Sequence, residues 1–190
     1  MTASTDHSTD HDVIDTLTTD HREVAELFDQ IVATTDPVQR RDMTDSLIGE
    51  LVRHSVAEEM HVYPAVRDHV PNGDAAVEDD TREHKQLETL MKELESADAS
   101  APEFLETLGR MRAVFEHHIS DEEGTQFPQL RAHIPADTLV QLKGKVETAK
   151  KLAPTRPHPA SPNAELFHKT VGPGVGLVDR LRDKLTGRSV

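Results

Sequence analysis

The sequence predicts an all-α protein: an up-down-up-down four-helix bundle made of two duplicated helix hairpins, with a C-terminal helical extension. Three observations predict it. Apolar residues recur at alternating spacings of three and four along four successive segments, which is the seam of an antiparallel bundle. Turn signals separate those segments by short connections, so neighbours run antiparallel. Aromatics are scarce (five Phe, one Tyr and no Trp in 190 residues), whereas a β-sandwich or a large α/β sheet would use more.

The elements follow in order. Residues 1–9 read as a disordered tail, and residues 10–135 as the bundle. The first seam runs through Ile14, Leu17, His21, Val24, Phe28 and Ile31. After Pro37 the second takes Leu47, Leu51, His54, Glu58, His61 or Val62, and Ala65. The third takes Val77, His84, Leu87, Met91 and Leu94, and the fourth, after Pro102, takes Phe104, Leu108, Met111, Phe115, His118 and Glu122. Breaks fall at Thr35-Asp36-Pro37, at Val70-Pro71-Asn72-Gly73 and between Ser96 and Pro102. An extra helix is predicted over about 136–152. Residues 153–162 are proline-rich and read as an extended linker. Short amphipathic pieces at 164–169 and 177–185 are joined by a glycine-rich turn at 172–176, which lacks the Lys-Ser/Thr of a phosphate loop.

Composition excludes several functions. Zero cysteines rule out disulfides, thiolate metal sites and cysteine nucleophiles. No run of about 18 apolar residues exists to span a membrane. The first residues lack the basic-then-apolar pattern of a signal peptide, so a cytoplasmic location is expected. No Gly-x-Ser-x-Gly elbow supports a serine hydrolase. Net charge is −14; residues 1–150 hold 14 basic and 32 acidic side chains, a net of −18 that argues against nucleic acid as a partner. Residues 151–190 are net +4 and are expected to dock on the acidic body. A monomer is expected. Twelve histidines exceed the ordinary share of about 2–3% and, with the carboxylates, point to cations.

The seams are apolar except near one level. There His21, His54, Glu58, His84, His118 and Glu122 take core positions. Such groups cost several kcal/mol in a core unless paired or bound to metal. An internal repeat puts them in register. HSVAEEMHVYPAVRDHVP (54–71) and HISDEEGTQFPQLRAHIP (118–135) share seven of eighteen residues at an offset of 64, and Asp20-His21 matches Glu83-His84. Each half thus supplies one lone His and one His-x-x-x-Glu, whose members lie one helical turn apart on one face. Four imidazoles and two carboxylates suit first-row transition metals rather than Ca²⁺ or Mg²⁺, and divide naturally between two ions.

The pattern His…His-x-x-x-Glu…His…His-x-x-x-Glu, with Glu-Glu-x-x-x-Tyr/Phe-Pro after each second His, resembles the hemerythrin-like (HHE cation-binding) family over about residues 10–135. The resemblance implies two iron ions, oxo- or hydroxo-bridged, with Glu58 and Glu122 as bridging carboxylates. It also implies chemistry with dioxygen, hydrogen peroxide or nitric oxide. Oxygen-carrier hemerythrins have a further third-helix His, where this chain has Glu88, and a fourth-helix Asp, where it has Glu122. Fewer imidazoles mean a more open, oxygen-rich site, so peroxide breakdown or oxygen and nitric oxide response is expected over bulk oxygen carriage. Turnover stays open against a non-catalytic sensor or storage module, and against a metal-free structural bundle.

Other polar residues carry two readings each. His61, three residues after Glu58, is a ligand or a flanking group, since its repeat mate is Thr125. Tyr63, the only tyrosine, is a packing residue before a kinking proline, or a phenol close to the metal. Glu59 and Glu123 read as flank carboxylates able to hydrogen-bond a ligand imidazole. Glu88 and His117 fall one step off their seams. His69 and His133 read as caps near helix C-termini.

Overall fold

A computed structural model describes residues 11–158 and 172–188. The first helix, α1 (Val13–Ala33), starts at a reciprocal cap in which Asp12 accepts from the Ile14 and Asp15 amides and Asp15 accepts from the Asp12 amide. It buries the whole expected seam, Ile14 to Ile31. The next, α2 (Pro37–Ala57), starts on the Asp36 side chain with proline in its first turn. The third, α4 (Gly73–Ser96), and the fourth, α5 (Pro102–Asp121), complete a ring in which α1 packs on α2 and α5, and α4 on α2 and α5. The bundle is the one the seams predict.

The second and fourth long helices do not end at their glutamates. Each continues through a π-helical turn, Glu58–Val62 and Glu122–Gln126, into α3 (Tyr63–His69) and α6 (Phe127–His133). The cause is the proline the repeat places at 64 and 128. Its ring crowds the carbonyl four residues back and removes a donor, and the chain widens by one residue instead of breaking. The Tyr63 and Phe127 amides accordingly donate five residues back, to the Glu58 and Glu122 carbonyls. The wider turn leaves Glu58 fully buried and Glu59 mostly so.

A tight turn precedes α4. Asn72 is left-handed (φ 59°), and a Cβ on Gly73 would lie 2.2 Å from the Val66 carbonyl oxygen. Gly73→Ala is expected to cost about 1–3 kcal/mol, because backbone rather than a mobile side chain must give way. A thermal melt checks this, and an unchanged Tm would contradict the close approach.

The extra helix α7 (Ala136–Leu152) lies where expected and packs across the α1–α2 hairpin through Leu139, Leu142, Val146 and Ala149. The chain after it corrects two expectations. Residues 153–157 are not a free linker but buried: Arg156 pairs with Glu95 and Asp183, and the Thr155 hydroxyl donates to Asp183. The rest of that stretch and the expected piece at 164–169 lie outside the described residues, as do residues 1–9. Residues 172–176, expected as a turn, are helical and open α8 (Gly172–Thr186), which absorbs the expected piece at 177–185. Gly176 explains this, since a Cβ there would stand 2.5 Å from the Leu152 carbonyl oxygen at the end of α7. The tail does dock on the body, with Arg188 pairing to Asp45 and Asp183.

Two apolar clusters fill the bundle. One gathers Phe28, Leu47, Leu51, Leu87, Phe104 and Phe115; the other gathers Leu17, Val62, Tyr63, Val77, Phe127 and Val146. His21, His54, His84 and His118 sit between them, at the level where the seams turn polar.

Candidate metal centre

Four helices deliver the site. His21 comes from α1, His54 from α2, His84 from α4 and His118 from α5, with Glu58 and Glu122 opening the two π-turns. All six are between 0 and 4% exposed. The structure brings all six together. The Nε2 atoms of His21 and His54 are 3.2 Å apart, as are those of His84 and His118. Glu58 Oε2 lies 3.2 Å from His54 Nε2 and 3.4 Å from His84 Nε2, and so touches both pairs. Glu122 also spans them, its Oε2 3.3 Å from His21 Nε2 and its Oε1 3.6 Å from His118 Nε2.

Each imidazole pair is within hydrogen-bond distance, but the carboxylates are not satisfied in that way. Both oxygens of Glu58 and Oε2 of Glu122 are buried with no hydrogen-bond partner. Buried carboxylate oxygens are rarely left so, because each forfeits its hydration. Neighbouring donors about 2.1 Å from one ion stand about 3 Å apart, close to the spacings here. His21, His54, Glu58 and Glu122 form one group able to hold a cation, and Glu58, His84 and His118 a second. The donor set fits a metal.

The outward nitrogens are held as a metal site requires. His21 Nδ1 donates to Glu123 (2.7 Å), His54 Nδ1 to Asp20 (3.3 Å), His84 Nδ1 to Glu59 (3.0 Å) and His118 Nδ1 to Glu83 (3.0 Å). With Nδ1 carrying the proton, each Nε2 lone pair points inward. Asp20 is fixed in turn by Lys150 of α7, 2.7 Å from both its oxygens.

Charge in the site follows from burial and from these carboxylates. Burial opposes a charged His54, but Glu58 and Asp20 outweigh it and lift the imidazole to about 10. Burial likewise opposes an ionised Glu58, yet His54, His118 and His84 hold it well below the usual carboxylate range. His84 and His118 are also raised against burial, by Glu58 with Glu59 and by Glu122 with Glu58. Without a metal, protons must supply the positive charge that Glu58 demands.

Tyr63 is buried, stacks on His84, and sets its hydroxyl 3.1 Å from His84 Nε2. Its repeat mate Phe127 stacks on His21 in the same way. The structure does not bring His61 to the centre: the π-turn leaves it half-buried, outside both donor groups, while Val62 and Tyr63 face inward. Glu59 and Glu123 hold ligand imidazoles, as their spacing allows. Glu88 pairs with Lys85, His117 with Glu83, and His133 Nδ1 donates to the Gln129 carbonyl.

Sequence reasoning missed four residues here. Asp20 and Glu83 bind imidazoles, and buried Asp80 accepts from Gln126 Nε2 at 2.9 Å. Burial, then the charge of Glu122, raises Asp80 to about 7. Signals existed. An acidic residue precedes each lone His, and Asp80 fills the seven-residue gap that the third seam leaves between Val77 and His84.

A four-helix bundle with a buried, polar, two-fold-repeated donor set defines a helical cation-binding protein. Residues 12–130 match the model of the hemerythrin HHE cation-binding domain, and the chain belongs to that family. It is 28% identical over 174 residues to an uncharacterised hemerythrin-like protein of Schizosaccharomyces pombe, covering 91% of this chain and 86% of that one. It is 26% identical over 141 residues to a DNA nickase of Nostoc, covering 74% of this chain but 40% of that one. No solved structure matches it. Among the described residues no helix is long and apolar enough to cross a membrane.

Proposed function

We propose that the chain is a non-heme di-iron protein that binds and activates dioxygen or hydrogen peroxide, with nitric oxide as a further small ligand of the same site. Glu58 carries the reading: both its oxygens are buried without a hydrogen-bond partner where inward imidazole nitrogens converge. His21 and His54 on one side, and His84 and His118 on the other, with Glu58 and Glu122 between, suit two ions. Imidazole and carboxylate donors with no thiolate suit iron. When bound, the iron pair supplies one or two electrons to the small oxidant.

The chain's own groups do the rest. Asp20, Glu59, Glu83 and Glu123 fix the four rings in one tautomer. Leu51, Leu87, Met91 and Phe115, all buried beside the polar level, keep bulk water out. Burial, with Glu58 and Glu122 nearby, pushes the Tyr63 phenol well above its ordinary value, so its hydroxyl keeps its proton and can donate it to a bound oxidant. The nicking activity named for the Nostoc relative is not carried over: this chain spans 40% of that protein, and residues 1–150 carry a net charge of −18, which repels phosphate.

Elemental analysis after iron-replete expression should return about two irons per chain, and fewer than one would overturn the reading. Stopped-flow mixing with peroxide then separates its two forms. Oxygen release over many turnovers identifies an enzyme; a single spectral change without turnover identifies a sensor or store.

A further inference from the structure

We propose that the cleft between α1 and the second π-turn, Glu122–Gln126, is an outer site through which small ligands reach the buried centre, with the Phe127 ring as the barrier at its inner end. The inference rests on the small-ligand reading of the metal centre and adds to it a place of entry. All six donors of the centre are between 0 and 4% exposed, so a molecule that binds there must first pass a side chain that moves.

The repeat makes two π-turns, and the chain covers them unequally. α7 packs on the first, Glu58–Val62, as well as on α1 and α2; the second packs chiefly on its own neighbours, α5 and α6. The four carboxylates that hold the outward imidazole nitrogens show the same division. The Glu123 side chain, in the second turn, is 40% exposed, against 12% for Asp20, 16% for Glu59 and 17% for Glu83. Beside it lies a cleft of about 620 Å³, within the range of small-molecule sites, whose lining includes Ile14, Thr18, Glu123 and Phe127. Two of these groups touch a donor of the centre. Glu123 Oε1 is 2.7 Å from His21 Nδ1, and the Phe127 ring stacks on the His21 ring at 5.8 Å and 11°. One layer of side chains therefore separates the cleft from the centre.

A larger cleft, about 840 Å³, lies among α1, α2, α7 and α8, but its inner end is closed differently. There Lys150 bonds both oxygens of Asp20, and Asp20 in turn holds His54, so two side chains stand in series. Moving Lys150 aside would strip a mostly buried carboxylate of its cation, whereas a turn of the Phe127 ring breaks no hydrogen bond. Charge does not bar the smaller cleft either. Arg22 and Arg131 line it together with Asp15 and Glu123, so neutral and singly anionic molecules are admitted although the whole chain carries −14.

The test uses the absence of cysteine from the sequence, which lets Thr18→Cys place a single thiol in the cleft. The full-length variant is loaded with iron and oxidised, and azide binding is followed by stopped-flow absorption before and after alkylation with a bulky aromatic maleimide. The protein is already folded when it is plugged, and its unlabelled form is the reference. A passage sets rates but not the equilibrium at its end. The label is therefore expected to slow azide association and dissociation alike, by about ten-fold or more, with Kd, iron content and melting curve unchanged. The same label on Thr81→Cys, at the repeat mate of Thr18, should leave both rates as they were. Rates that ignore the label at position 18, a change in Kd alone, or equal slowing by the label at position 81 would overturn the cleft as the way in and leave the centre standing. A wild-type protein with no azide-dependent band overturns the small-ligand reading and the passage together.

Discussion

Stripping the metal from the protein is expected to lower its melting temperature by about 8–16 °C near neutral pH. A ligand present at about a thousand times its Kd contributes about 4 kcal/mol, and in a chain of this size each kcal/mol moves Tm by about 2–4 °C. Removal leaves the Glu58 carboxylate with only protonated imidazoles to offset it. The effect also has a pH signature. In the stripped protein the His54 value of about 10 stands above its ordinary 6.5, so that contribution is complete below pH 6.5 and is lost as pH rises through about 10. Glu58, held well below its ordinary 4.5, contributes above that pH and is lost as pH falls through its folded value. The stripped protein therefore weakens toward alkaline pH. Metal binding strengthens over the same range, because metal and protons compete for the imidazoles. Calorimetric melts of both forms at about pH 5.5 and about pH 8 should show the gap widening with pH. No gap, or one that narrows toward alkaline pH, would contradict a metal held by these groups.

Glu58→Met is expected to weaken both forms and to abolish the difference between them. In the stripped protein it removes one partner of the buried ion pairs with His54, His84 and His118, a loss of up to about 3–5 kcal/mol. In the metal-treated protein it removes the one carboxylate oxygen that touches both histidine pairs, so metal content collapses and the stabilisation by metal goes with it. His54→Ala should lose metal as well, and it leaves Asp20 facing a cavity. Elemental analysis beside thermal melts measures both quantities. A Glu58→Met protein that binds metal fully and melts like wild type would remove Glu58 from the centre.

Much of this was legible beforehand. The seams named all six buried donors, because a polar residue at a three-four position has nowhere to go but the core. The chain also reads as helical over about 136–152, where α7 lies. Where the reading stopped short, the missing information lay between helices. Pro64 and Pro128 announce a distortion, but whether a helix breaks or widens depends on whether packing holds its far side in place, and here α3 and α6 are so held. His61 shares its spacing with the ligands, and only the wider turn sets it aside. The glycines at 172–176 look like a turn until Gly176 is seen against the end of α7.

Periodicity and duplication along the chain were enough to determine a bundle with a polar level and the identity of the inward groups, since both properties are set by which face of a helix a residue occupies. The partners of those groups were decided only by the fold. Asp20 serves His54 on another helix, Glu83 serves His118, and Lys150 arrives from a fifth helix to fix Asp20. Hydrogen bonds across helices depend on register and rotation between elements, and spacing within one element carries neither.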